Sequence, residues 1–307
     1  MLKRRTLILI VILSLMITGA AAVTLISKKD TASDDPTHLF TNTTEEYTFI
    51  AFGDTQEPAN FVKDKIVEYA IRSRPDFVIH LGDSVDSADP HQWWIYDYSE
   101  GLIEDAGIPT YSIVGNHELA DMLGIYNSNE EKLSLYFKRH PRLNNNRWYK
   151  FQYGKVTFFM LDSEANISEG SPQRRWIAQA LPKVKTPYTV VSIHRPPYTG
   201  LWKDTDTREL TQWMQTVRPL SMVLSGHTHN YERYIINETI YIVSGGGGSS
   251  SHFFKRQPDD YWRFENDTAN HFMLFKVTGS KMVGEMMGYF LLQQKFVVYD
   301  RFTIESG

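Results

Sequence analysis

The sequence predicts a layered α/β domain in which two sheets pack between helices. Three observations predict it. Apolar strand-like runs alternate with helical ones from Tyr47 to Val217. The remainder, to Ile304, is rich in strands and turns. Five of the apolar runs stop at a cluster of Asp, Asn, Gln or His, the pattern of an α/β fold whose strand ends carry the ligand site.

The elements follow in order. Tyr47–Gly53 is an apolar strand ending at Asp54, and Pro58–Arg74 has helical spacing through Phe61, Ile66, Val67, Ala70 and Ile71. Asp76–Gly82 is a strand ending at Asp83. His91–Ala106 reads as one helix, and Thr110–Val114 as a strand running into Gly115-Asn116-His117. Trp148–Tyr153 and Val156–Leu161 flank Gly154-Lys155 as a hairpin. Ser171–Leu181 is a helix, Tyr188–Ile193 a strand ending at His194, and Asp206–Val217 a helix. Ser221–Leu224 leads into Gly226-His227-Thr228-His229. Ile240–Val243, Phe272–Val277, Lys281–Met286 and Phe296–Ile304 are the closing strands.

The N-terminus differs from this body. Lys3, Arg4 and Arg5 precede an apolar run from Thr6 to Ile26, followed by Lys28 and Lys29. As a helix that run is about 32 Å long at roughly 1.5 Å per residue, enough to span a bilayer. Its most apolar part, Leu7–Ile17, is short, and Gly19-Ala20-Ala21-Ala22 supplies the small residues of a cleavage site. Residues 1–29 therefore read as a signal peptide or an N-terminal membrane anchor. Residues 30–46 are polar and turn-rich and read as a linker, which leaves 47–304 as the functional domain. The expected location is extracytoplasmic, either membrane-anchored or secreted. Sequons at Asn42, Asn166, Asn237 and Asn266 fit an exported chain.

Composition narrows the function. The chain has 307 residues and no cysteine, which excludes a disulfide framework, a thiolate metal site and a cysteine nucleophile. Removing the five basic residues of the first 29 from the total of 32 leaves 27 against 36 acidic residues, net −9. Such a body is not built for nucleic acid, and no nucleic-acid partner is expected.

The strand-end clusters are Asp54-Thr55-Gln56, Gly82-Asp83, Gly115-Asn116-His117-Glu118, His194 and Gly226-His227-Thr228-His229. Their oxygen and imidazole donors suit Mn, Fe or Zn, and the glycines let the backbone turn sharply and approach closely. In this order the clusters resemble the calcineurin-like metallophosphoesterase superfamily, whose pattern is D-x-H, G-D-x-x, G-N-H-[DE], a lone His and G-H-x-H. The resemblance implies a four-layer α-β-β-α sandwich of two mixed sheets. It also implies two divalent metal ions (Mn, Fe or Zn), with Asp54 and His229 on the first, Asn116, His194 and His227 on the second, and Asp83 bridging. His117 would stand beside the metals as a catalytic group together with Asn116.

Two departures stand out. Gln56 replaces the histidine of D-x-H; its amide oxygen is either a weaker metal ligand or a polar turn group. The purple acid phosphatase branch carries a metal-binding Tyr three residues after the bridging Asp, where this chain has Asp86. The implied activity is hydrolysis of a small phosphate mono- or diester. The alternatives are a purple-type acid phosphatase, which Asp86 opposes, and a membrane-tethered binding protein with a relict site, which the intact Asn116-His117 and His227/His229 oppose. Two clamped metals supply an activated hydroxide, and an unligated His117 would protonate the leaving alkoxide.

Other residues are read less sharply. His80 is structural, and His38, His91, His140, His252 and His271 lack motif context. Glu118 is expected to support His117 by hydrogen bonding. Arg195 is either a phosphate contact or part of a surface ion pair, and Gly245–Gly248 is a tight loop near the site. Trp93, Trp94, Tyr96, Tyr98, Tyr198, Trp202, Lys203 and the aromatic-basic stretch 252–262 either bind substrate or pack the surface.

Overall fold

A computed structural model of the chain describes residues 38–57, 61–201, 204–251, 262–266 and 270–305. They belong to one compact unit, 32–307. The N-terminal 1–29 segment, Trp202, Lys203 and the stretch 252–261 lie outside the described residues. No helix among those described is long and apolar enough to cross a membrane.

Two mixed sheets form the centre. The smaller contains β2 (Glu46–Phe52), β3 (Phe77–His80), β4 (Thr110–Ser112), β12 (His271–Thr278), β13 (Lys281–Phe290) and β14 (Lys295–Glu305), in the order β14-β13-β12-β2-β3-β4. The larger has eight strands among the described residues. These are β1 (His38–Asn42), β5 (Tyr149–Tyr153), β6 (Val156–Leu161), β7 (Tyr188–Ile193), β8 (Met222–Ser225), β10 (Thr239–Ser244), β9 (Tyr231–Ile236) and β11 (Trp262–Asn266), in that spatial order.

The period-2 alternation of each strand builds the layers. In β2, Tyr47, Phe49 and Ala51 face the other sheet; Phe49 stacks on its same-sheet neighbours Phe77 and Phe275 at ring distances of 5.0 and 4.5 Å and meets Phe158 of the larger sheet edge-on at 5.5 Å. Ile50 and Phe52 face the opposite way, onto α1 (Phe61–Ser73) and α3 (Gly101–Asp105) through Ile66, Val67, Ala70 and Ile103. In β7, Tyr188 and Val190 face inward. Val191 and Ile193 face the helices Pro172–Ala180 and Thr205–Val217 through Ile177, Leu210 and Met214. The result is the expected helix–sheet–sheet–helix stack.

Two expectations require correction. Residues 38–42, read as linker, form strand β1, which pairs in parallel with β5 and carries Leu39 and Phe40 against the core. The single helix over 91–106 is two: α2 (Pro90–Asp97), capped by the Asp89 carboxylate, and α3, separated by a turn at Tyr98–Glu100. Trp93, Tyr96 and Ile103 keep helical spacing across the break, so the apolar pattern conceals it.

Strands β2, β3 and β4 run parallel in one sheet, and β6, β7, β8 and β10 in the other. Backbone bonds join the loops beyond their carboxyl ends. Asp54 N–H donates to Gly82 O (3.0 Å), Gly226 N–H to His194 O (3.0 Å) and Ser249 N–H to Asp54 O (3.0 Å). One end of the molecule therefore gathers every strand-end cluster.

Candidate metal centre

Four of the candidate ligands have left-handed backbones: Asp54 (φ 62°), Asp83 (φ 57°), His227 (φ 74°) and His229 (φ 50°). This conformation is uncommon outside glycine. It turns each side chain back over the strand end from which it emerges. Neighbouring glycines provide the space. A Cβ on Gly115 would lie 2.2 Å from Asp83 Oδ1, and one on Gly226 would lie 2.4 Å from Asp54 Oδ2.

Asp83, His194 and His227 each bring one ligand atom within 4.8 Å of the others. His194 Nδ1 donates to Leu81 O (2.7 Å), so its proton is fixed there. Its Nε2 faces two acceptors, Asn116 Oδ1 at 3.2 Å and Asp83 Oδ2 at 3.2 Å, so without metal this ring is an imidazolium. Burial opposes that charge, but the Asp83 carboxylate beside it holds His194 up to about 10. The same pairing, against burial, keeps Asp83 well below the usual carboxylate range. Burial, with the His194 and Arg195 cations, takes His227 down to about 3 and leaves it neutral.

On the other side, both Asp54 oxygens accept from His227 N–H (2.8 and 2.9 Å), and His229 Nε2 lies 3.5 Å from Asp54 Oδ1. Burial pushes the Asp54 carboxyl well above its ordinary range; His194 opposes that and Asp83 adds to it. His229 Nδ1 donates to Ser250 O (3.0 Å), which leaves Nε2 as an acceptor for the Gln56 amide nitrogen at 3.1 Å. Gln56 Oε1 is buried with no hydrogen-bond partner. The donor set therefore fits divalent cations. The buried Asp54 carboxylate lacks full compensation, the neutral His227 imidazole faces the site, one amide oxygen is unsatisfied, and the His194 proton that compensates Asp83 occupies a position that a cation would take.

His117 stands at the edge, with its side chain 28% exposed. Its Nδ1 donates to Asp86 O (2.8 Å), and its Nε2 is 3.9 Å from Asp83 Oδ2. The Asp86 carboxylate lies against this ring, 3.5 Å from Nδ1. Glu118 does not support the His117 side chain, as its position in the motif suggested. Fully buried, it accepts from the backbone N–H groups of Asp83 (2.9 Å), Ser84 (2.7 Å) and Gly115 (2.7 Å), tying two ligand loops together. Burial and the Asp83 charge raise it to about 7. His80 braces the same region, with its ring nitrogens 3.1 Å from Thr55 Oγ1 and 3.2 Å from Ser84 Oγ. Gly247 N–H donates to Gly53 O, which makes 245–248 the tight loop expected.

Arg195 is held by Glu164 at 2.7 and 3.0 Å, with Nη1 3.4 Å from His227 Nε2. Its ion pair therefore sits at the site. Sequence reasoning passed over Glu164, Glu57 and Lys63. Glu57 binds Ser250 N and Oγ (both 2.8 Å) and so positions the carbonyl that orients His229. Buried Lys63 donates to Thr55 O (3.2 Å) and lies 3.9 Å from Glu100. Trp93 and Tyr96 are core residues, whereas Trp94 and Tyr98 are exposed.

Comparison with known proteins supports the family and the fold. The family model for calcineurin-like phosphoesterase matches residues 47–231. A probable inactive purple acid phosphatase 9 of Arabidopsis thaliana is 30% identical over 151 residues, covering 46% of this chain and 21% of that protein. A nucleotide pyrophosphatase/phosphodiesterase of Hordeum vulgare is 27% identical over 180 residues, covering 52% and 48%. The chain thus spans less than half the length of either relative. The solved purple acid phosphatase of yellow lupin seeds superposes with a TM-score of 0.69 at 22% identity, over 86% of this chain and 55% of that one.

Proposed function

The chain belongs to the calcineurin-like phosphoesterase family, and from that premise we propose that it is a binuclear metal-dependent hydrolase of phosphate mono- or diesters acting outside the cytoplasm. The observation that carries the proposal is the convergence of Asp54, Asp83, Asn116, His194, His227 and His229 at one sheet end, with His117 beside them and free of the ligand cluster.

In this reading Asp54 and His229 would hold one ion with Gln56, Asn116, His194 and His227 would hold the other, and Asp83 would serve both. When bound, the pair of divalent ions supplies Lewis acidity toward phosphate oxygens and an activated water. The chain's own residues do the rest. The Asp86 carbonyl holds the proton on His117 Nδ1, so the imidazolium form of the ring would deliver its Nε2 proton to the departing alkoxide and be left as the neutral Nδ1–H tautomer. The Arg195 guanidinium, oriented by Glu164, offers its remaining N–H groups to a phosphate oxygen.

A purple-type centre has less support, because Asp86 stands where its tyrosine would be and lies against His117. A relict binding protein has the name of one relative in its favour. Metal analysis coupled to a phosphate-release screen separates the three readings: two colourless ions with turnover, a purple centre, or neither. His117→Asn should keep its metals and lose about 10²–10⁴-fold in turnover on esters with poor leaving groups, and lose less on p-nitrophenyl esters. Equal losses on both substrates at full metal content would remove His117 as the proton donor.

A further inference from the structure

The loop that follows His117–Leu119 ends in an exposed apolar tip. Met122, Leu123 and Ile125 are 66%, 64% and 50% exposed, around Gly124 in a left-handed conformation (φ 64°). The tip is well braced. The Asp121 carboxylate accepts from Ile125 N–H (3.1 Å) and Tyr126 N–H (3.0 Å), and its carbonyl from Gly124 N–H (3.4 Å). Two bonds fasten the loop to the segment after Asp83: Ala88 N–H to Ala120 O (2.9 Å) and Tyr126 OH to Ala88 O (3.0 Å). The helix that starts at Pro90 adds exposed Trp94 and Tyr98, their rings 4.7 Å apart. A monomeric surface has no use for three large aliphatic side chains on a rigid turn beside its site.

We propose that this tip docks on a lipid bilayer, and that the esters hydrolysed are those presented at a membrane surface. The second half rests on the phosphoesterase reading above. Two features select lipid over a protein partner. The backbone N–H groups of Gly124, Ile125 and Tyr126 are already satisfied by Asp121, so the tip can enter an apolar phase without losing them. Trp94 and Tyr98 are exposed on the helix that begins two residues after Ala88, to which the loop is bonded, and Trp and Tyr are the side chains that settle at the headgroup level.

The topology points the same way. β1 runs parallel to β5, β5 antiparallel to β6, and β6 ends at the site, so the chain enters the domain at His38 on the site end. Only 11 residues, 27–37, separate the apolar run Thr6–Ile26 of the sequence from His38, a reach of at most about 43 Å. A body of net charge −9 gains nothing from anionic lipid, so docking should be apolar in origin and insensitive to salt.

The chain has no cysteine, so Leu123→Cys and Lys281→Cys each give a single labelling site, the latter at the opposite end of the sheets. The mature chain carries an environment-sensitive fluorophore at either position and is bound to or reconstituted in phosphatidylcholine vesicles containing spin-labelled acyl chains. The Leu123 probe should be quenched several-fold more than the Lys281 probe, equally at 0.1 and 0.5 M salt. Equal quenching overturns the docking. So does a Leu123 probe that lipid leaves unquenched but that is shielded from water, since a protein surface then covers the tip. In a second arm, Leu123→Asp should lower turnover of phosphatidic acid in vesicles at least fivefold and leave p-nitrophenyl phosphate turnover unchanged. Parallel losses overturn the substrate assignment. No turnover of either ester by the wild type overturns the phosphoesterase reading and the substrate assignment with it, and the quenching arm still judges the docking.

Discussion

Replacing Gly115 by alanine tests the Asp83 carboxylate more cleanly than replacing Asp83, because every ligand atom remains in the chain. The new Cβ would lie 2.2 Å from Asp83 Oδ1 and 2.6 Å from Asp83 N. Ordinary contact begins near 3.4 Å, so the oxygen must retreat by about 1.2 Å. It has little freedom to do so: Asp83 N–H is held by Glu118, Oδ1 by His117 N–H (2.9 Å) and Oδ2 by His194 (3.2 Å). Overpacking of this kind costs about 1–3 kcal/mol, or about 2–12 °C in Tm for a domain of this size. A displacement near 1 Å in a reacting centre costs about 10²-fold in rate. Gly226→Ala makes the equivalent intrusion at Asp54, 2.4 Å from Oδ2, and should deplete one metal rather than both. Gly101→Ala, at the start of α3 with its nearest neighbour, Tyr96 O, at 3.3 Å, is a much smaller intrusion away from the ligands and serves as the control. The assays are metal content by mass spectrometry, thermal unfolding and phosphate release. A Gly115→Ala chain with full metal content and turnover within twofold of wild type would refute the claim that Asp83 is shared.

Metal uptake by the stripped chain should expel a proton. His194 is held up to about 10, so it is charged at neutral pH, and its Nε2 can ligate only when neutral. Affinity should therefore rise with pH, about tenfold per unit between pH 7 and 9. Calorimetry in two buffers of different ionisation enthalpy measures the release, and enthalpies identical in both would contradict it. Gln56→His should preserve activity and tighten the ion held by Asp54 and His229, because the position already faces His229 Nε2 at 3.1 Å and imidazole is the better donor. Unchanged affinity at both sites in a metal titration would remove Gln56 from the ligand set.

The strand ends were legible because each joins two strong local signals, an apolar run and a polar cluster with glycine. The hairpin from Tyr231 to Ser244 was half hidden. Its turn uses Asn237 and Glu238, both with positive φ (49° and 64°), and a glutamate in that conformation carries no sequence mark. Strand β1 was missed because five partly buried residues beside a polar stretch look like linker. The supporting contacts of the site were beyond reach for a different reason. Glu57 meets Ser250 across 193 residues and Arg195 meets Glu164 across 31. The first pair exists only once the two sheets are stacked and the second only once β6 and β7 lie side by side, and no local pattern encodes either.

The left-handed backbones of Asp54, Asp83, His227 and His229 have a consequence for engineering. Each costs about 1 kcal/mol or more relative to glycine, within a total folding stability on the order of 10 kcal/mol. A selection for heat resistance alone would thus push these four positions toward glycine and, in doing so, disarm the site. Stabilising substitutions in this protein have to be sought elsewhere, in the helices or on the far sheet edges, and any screen should score ligand retention beside melting temperature.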